Sequence, residues 1–222
     1  MSAVTATENV QGSLGGPGID VRWIMPEGFF EIPMDAESLD ETAEQLVELA
    51  RAVMPEATFE VQLEWAVMVA AHYDSFAEAG IHYSGFVMTE VEGDRCTATV
   101  TVSMIDLDAR AGTRPVAFLG STMRHLDMGQ VSEIELPCGP AVSCIGTRKG
   151  SLPGSLTASG ADEPVVTSFI QVQIPLSNGT VVVLEMGTPT PQAWDVFSAM
   201  FAGVVKSVRL FNESGKPLVM PA

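Results

Sequence analysis

Basic residues are scarce in this sequence. Eleven Lys and Arg stand against 28 Asp and Glu in 222 residues, with three histidines, for a formal net charge of −17. Nucleic-acid affinity comes largely from Lys and Arg neutralising phosphates, so nucleic acid and anionic membranes are poor candidate partners. A basic protein partner is the kind such a charge would steer. An acidic surface also keeps a protein dispersed, so charge alone names no partner. Apolar runs are short as well: none approaches the ~20 residues a membrane-spanning helix needs. Met1 to Gly18 has neither the basic start nor the apolar stretch of a secretory leader, so the chain as given is expected to be cytoplasmic. There are three cysteines, Cys96, Cys138 and Cys144. An odd count argues against a disulfide framework. Cys138 and Cys144 could pair across a loop, but buried thiols are the commoner arrangement.

Catalytic motifs are missing too. A nucleophile elbow needs G-x-S-x-G, which neither Ser84-Gly85 nor Gly120-Ser121 supplies. A phosphate-binding loop needs G-x-x-x-x-G-K-[ST]; the N-terminal glycines lack the lysine, and Lys149-Gly150-Ser151 lacks the earlier glycine. There is no H-E-x-x-H and no C-x-x-C. His72 with His82 and Glu64, and Cys138 and Cys144 with His125, are the ligand sets worth naming, and neither has metal-site spacing. Carboxylates are plentiful, but abundance is not a general acid or base. The sequence therefore offers no catalytic residue, no cofactor site and no metal site. Asn178-Gly179-Thr180 and Asn212-Glu213-Ser214 match glycosylation sequons, the first better explained as a turn.

What is present is the composition of an ordinary globular protein, 46% hydrophobic and long enough for a sizeable core. Residues 1–18, ending in Gly12, Gly15, Gly16, Pro17 and Gly18, read as a tail and linker. One α+β domain is expected over 19–211, followed by a C-terminal tail over 212–222. An extended segment from Asp20 to Pro33 is broken by the turn signal Pro26-Glu27-Gly28. Ser38 and Glu41 form a capping box at the start of a helix that Pro55 ends. A second helix is expected over 59–79, with Leu63, Val67, Ala70, Tyr73 and Ala77 on one stripe and Gly80 as its stop. Segments 81–91 and 96–105 read as a hairpin. In its second arm Cys96, Ala98, Val100, Val102 and Met104 alternate with Thr97, Thr99, Thr101 and Ser103, so one face is expected to be core and the other wet or lightly covered. Residues 106–127 fit no single element, though 115–126 suits a short helix with Pro115 in its first turn. Strands follow over 130–136 and 141–147, then a loop over 149–162. Asn178-Gly179 signals a hairpin of 165–174 with 180–186, with Val166, Ile170, Val172 and Ile174 on a buried face and Gln171 and Gln173 opposite. A closing helix spans 191–210. Its Trp194, Phe197, Phe201, Val204 and Val208 form an apolar stripe, and Val196, Met200, Gly203 and Val205 extend it, so coverage on more than one side is expected.

The stretch LPCGPAVSCIG, followed by VVTSFIQVQIPLSNGTVVVLEMGTPTPQAWDVFSAMFAGVVKSVRLF, is similar to a pattern in actinobacterial proteins, where a P-x-G-P-A-V strand precedes a hairpin and a closing helix. It also resembles the PsbP-like superfamily, which includes a photosystem subunit, a Ran-GTPase-binding protein and actinobacterial lipoproteins. The resemblance covers 136–211. It implies an antiparallel sheet of hairpins packed against helices, in proteins that mostly act by binding other proteins. No lipobox is present, and no functional residue carries over.

Acids dominate the two early helices: Asp35, Glu37, Asp40, Glu41, Glu44, Glu48, Glu56, Glu60 and Glu64 stand against Arg51. They suit a solvated face or a docking face for a basic partner. Glu37, Asp40, Glu41, Glu44 and Glu48, with Val196 and Met200 on the closing helix, are the candidate protein interface, with a homo-oligomer as one form it could take. The first functional expectation is a non-catalytic interaction or assembly-accessory module. A carrier holding a small apolar ligand in a helix–sheet cleft, suited to the twelve methionines, is the second. An enzyme with an unfamiliar site is the third.

Overall fold

Alternation and turn chemistry place eleven strands and five α-helices along the chain, in a computed structural model that describes residues 10–16, 18–34, 38–152, 154, 157 and 159–221. The order is β1 (Val10–Gly16), β2 (Ile19–Met25), β3 (Phe29–Ile32), α1 (Leu39–Val53), α2 (Phe59–Ala70), α3 (Tyr73–Glu78), β4 (Ile81–Val91), β5 (Asp94–Asp106), α4 (Pro115–His125), β6 (Gln130–Leu136), β7 (Gly139–Leu152), β8 (Glu163–Pro175), β9 (Thr180–Thr188), α5 (Trp194–Ser207), β10 (Arg209–Asn212) and β11 (Pro217–Leu218). The expected α+β architecture, with antiparallel sheets packed against helices, is what the chain adopts.

Seven strands form one sheet in the order β3-β4-β5-β9-β8-β7-β6. Every neighbouring pair is antiparallel. Two meanders, β3-β4-β5 and β6-β7-β8-β9, meet where β5 pairs with β9, and α1, α2 and α3 are inserted between β3 and β4. The second sheet runs β1-β2-β10-β11. It packs with α5 on one face of the large sheet. Val21, Trp23, Met25 and Leu210 join Phe197, Phe201 and Val204 against Val100, Val102, Leu184 and Val172 in a single core.

The alternation in β5 sorts its faces as expected. Cys96, Ala98, Val100 and Val102 are buried, while Thr99 is exposed and Thr97, Thr101 and Ser103 are half-buried. On that second face Leu119 and Met123 of α4 cover Val142, Cys144, Phe169, Val181 and Val183 at one end. At the other end Trp65 of α2 meets Phe86, with ring centroids 6.0 Å apart.

The β8–β9 hairpin forms around Asn178, whose Oδ1 accepts from the Thr180 amide, and Gly179 takes the positive φ of 85° the turn requires. Val172 and Ile174 are buried. Val166 is exposed, because this end of β8 runs out with β7 beyond the core: Lys149 pairs with Val166 and Leu152 with Glu163. Residues 149–152 of the expected 149–162 loop are thus strand, and β8 begins only at Glu163.

Other expectations are corrected by long-range packing. Residues 10–16 are not a tail but the edge strand β1, paired with β2 from Val10↔Met25 to Gly16↔Ile19. Gly12 is glycine because the indole of Trp23 occupies the space a Cβ would need. The C-terminal segment is likewise tied down. Leu218 pairs with Leu210, and the buried Met220 donates its amide to the Cys138 carbonyl at 2.8 Å. The expected 59–79 helix breaks at Ala71 and His72 into α2 and α3, with Gly80 at φ 63° closing the second. Among the described residues no helix is long and apolar enough to cross a membrane.

Candidate functional site

The acid-rich helices form a hairpin whose geometry follows from its caps. Ser38 Oγ accepts from the Glu41 amide at 3.2 Å and Thr58 Oγ1 from the Val61 amide at 3.5 Å, so each helix begins on a hydroxyl N-cap. Gln62 is buried because its amide donates to the carbonyls of Met54 (2.9 Å) and Ala57 (3.3 Å), pinning the connection between α1 and α2. Leu46, Ala66 and Val69 form the buried cluster of the two helices, with Ile32 of β3 packed against it, and Tyr73 donates its hydroxyl to the Pro33 carbonyl.

This docking turns α2 the opposite way from the sequence expectation. Its inner face is Gln62, Ala66 and Val69, flanked by Trp65 and Met68. Phe59, Leu63 and Val67 point outward at 55%, 42% and 62% exposure, in one row at spacing four, with the exposed Ala70 continuing it. Asp40, Glu41, Glu44, Glu48, Glu60 and Glu64 are all exposed around this surface; Glu37 lies outside the described residues. A groove of about 400 Å³ runs between the helices, lined by Ala43, Glu44, Val47, Glu48, Arg51 and Phe59. The acids were visible in the sequence. The stripe of Leu63 and Val67 was visible too, but its outward orientation was not, because α2 is apolar on both sides and its buried Gln62 disguised the inner one.

The other half of the candidate interface sits elsewhere. Val196 of α5 is 43% exposed, while Met200 is half-buried against the main core with Trp194. α5 buries one face through Phe197, Phe201, Val204 and Val205 and leaves Asp195, Val196, Ala199, Ala202, Gly203 and Lys206 exposed. It is not covered on a second side. Since α5 and α2 lie against opposite faces of the seven-stranded sheet, the acids and Val196 do not form one surface.

A polar row unseen in the sequence crosses the face of that sheet on which α4 and α2 lie. Register aligns Ser84, Thr101, Glu185, Gln171 and Cys144 across five strands. Glu185 accepts a bidentate pair from Arg148, with Nη2 to Oε2 at 2.8 Å, and a 2.7 Å bond from Gln171, which in turn accepts from Gln173 at 3.0 Å. The Arg148 guanidinium lies 4.1 Å from the Phe169 ring centroid. The hydrogen bonds it donates to Glu185 hold Arg148 still more firmly protonated than usual. The donors and acceptors satisfy one another, which suits a structural brace rather than proton transfer.

Burial pushes the Cys138 and Cys144 thiols up from their ordinary value, the opposite of an activated nucleophile. All three cysteines are buried and unbridged. His72, His82 and His125 are exposed, and among the described residues no three His, Cys, Asp or Glu side chains converge as metal ligands. A further groove of about 490 Å³ opens beside the start of α4, walled by Pro115, Pro140, Pro175 and Pro221 and lined also by Arg114 and Glu133.

No family model matches the chain, and no curated protein matches it. Among solved structures it aligns with the crystal structure of LpqN, involved in cell envelope biogenesis of Mycobacterium tuberculosis, at 12% identity over 92% of each chain with a TM-score of 0.38.

Proposed function

We propose that this chain is a non-catalytic protein-interaction module whose working surface is the outer side of the α1–α2 hairpin. The observation behind the reading is the exposed row Phe59, Leu63 and Val67 within a field of carboxylates. Full burial of each such side chain stabilises by roughly 1.5–3 kcal/mol. A helix that turns its inner face to the protein and still presents a continuous apolar row outward is suited to being covered by something else. Asp40, Glu41, Glu44 and Glu48 lie on the same hairpin and set its charge preference. The PsbP-like resemblance over 136–211, whose members mostly bind proteins, supports an interaction role by analogy, though not its location on this hairpin.

The test is the size of the native complex. In extract of the source cell, the full chain should elute on gel filtration well above its monomer position, and Leu63→Asp with Val67→Asp should return it there. Elution as a monomer before and after substitution rejects the reading.

A further inference from the structure

We infer that the occupant of this surface is a cationic amphipathic helix, an inference that rests on the interaction reading above. The row Phe59–Leu63–Val67 spans nine residues of helix, ~12 Å over eight rises of 1.5 Å, with the spacing of an i±4 ridge. Such a ridge fits the groove of a second helix. Beside it lies the existing α1–α2 groove, where Ala43 and Val47 continue the apolar floor from Phe59. A partner helix with apolar residues at i, i+3, i+4 and i+7 can fill both.

Charge narrows the class. Glu60 and Glu64 border the row on α2, and Glu44 and Glu48 line or border the groove on α1. None of these four takes part in the ion pairs found among the described residues. The cation set among them is Arg51. A partner carrying Lys or Arg on the flanks of its apolar face would meet carboxylates on both sides of the ridge.

The other occupants fit less well. A second copy would bring two sets of carboxylates together, and like charges across an interface repel. An anionic lipid surface faces the same repulsion. An extended peptide would leave its backbone N–H and C=O groups against side chains with no strand edge to pair with, whereas a helix satisfies its own.

The experiment uses the full-length chain and fluorescence anisotropy at physiological salt. The probe is a labelled Leu/Lys peptide of about 18 residues with helical periodicity, long enough for a stable turn count on binding. A scrambled peptide of identical composition and a Leu/Glu peptide of the same pattern serve as comparisons. The helical Leu/Lys peptide should bind and weaken as salt rises, and both comparisons should bind at least about tenfold more weakly, ~1.4 kcal/mol. Leu63→Asp should weaken binding by about tenfold or more. Glu60→Gln with Glu64→Gln should weaken it several-fold, while Glu90→Gln with Glu92→Gln, which removes the same charge elsewhere, should not. All these positions are exposed, so an unchanged Tm confirms the fold.

Equal binding of the scrambled peptide, or indifference to Leu63→Asp, overturns the inference. So does a Leu63-dependent dimer in analytical ultracentrifugation, which would make a second copy the occupant. Leu63-dependent flotation with phosphatidylglycerol vesicles would make the occupant a membrane and overturn the inference as well. If the native complex depends on Leu63 and Val67 yet the Leu/Lys helix fails to bind, the interaction reading survives and the cationic-helix class falls. If the native complex ignores both residues, the surface itself is wrong.

Discussion

The guanidinium of Arg51 on α1 lies over the ring of Phe59 on α2, 5.8 Å from its centroid. The single basic residue of this acidic hairpin is therefore held against the first member of its exposed apolar row. Both its charge and its position oppose a cationic partner.

Arg51→Gln is expected to tighten binding of the helical Leu/Lys peptide by about fivefold to thirtyfold, since an exposed cation–π contact and its like charge are each worth ~0.5–1 kcal/mol. Anisotropy titration reads this directly. Weaker binding by the variant would show that Arg51 is part of the recognition rather than a cover over Phe59.

The two sides of α2 should separate cleanly under mutation. Leu63→Ser and Val67→Ser are expected to change unfolding free energy by no more than ~0.5 kcal/mol, as exposed substitutions do. Leu46→Ala, under the same helix pair and fully buried, should cost ~2–5 kcal/mol. Urea denaturation followed by tryptophan fluorescence checks both. A large loss for Leu63→Ser would mean that its side chain is core.

This inversion marks where the sequence stopped being legible. α1 was readable because Ser38, Glu41 and Pro55 mark its ends, and β5 because its alternation is strict. In α2, Leu63 and Val67 compete with Ala66 and Val69 for the inner side, and the larger pair looks like the core. The decision rests on Gln62, which turns inward to reach Met54 and Ala57, and no periodicity encodes that. The row Thr101, Glu185, Gln171 and Cys144 needs strand register over long separations. Gly12 of β1 reads as part of a linker because its reason, the Trp23 ring, arrives from a neighbouring strand.

That last point is testable with a matched pair. Gly12→Ala would push a methyl into the Trp23 indole, whereas nothing lies within 4 Å of a Cβ at Gly15. Gly12→Ala should destabilise by ~1–3 kcal/mol through overpacking. Gly15→Ala should stay within ~0.5 kcal/mol. Thermal unfolding monitored by Trp fluorescence distinguishes them. Equal effects would place Trp23 away from β1.

Alkaline pH should weaken the fold. Burial raises the thiols of Cys138 and Cys144, and burial with the nearby Glu31 carboxylate raises the Tyr83 phenol. Unfolded, these groups ionise near pH 8.5 and 10. Between those values and the raised folded ones, the unfolded chain has lost protons that the folded chain keeps. Stability is therefore complete below the unfolded values and falls as pH rises above them. Urea midpoints should decline from about pH 8.5 to 10, less steeply in Cys138→Ala. A flat profile over that range would contradict the burial of these groups.

The most direct test of the central claim compares the two separated surfaces in the source cell. A photo-crosslinking phenylalanine analogue is placed at Val67 on α2 in one strain and at Val196 on α5 in another, both exposed positions on opposite faces of the seven-stranded sheet. After irradiation, the account expects a discrete covalent adduct from Val67, abolished by Leu63→Asp in the same chain, and none from Val196. An adduct from Val196 alone, or none from Val67, would contradict it.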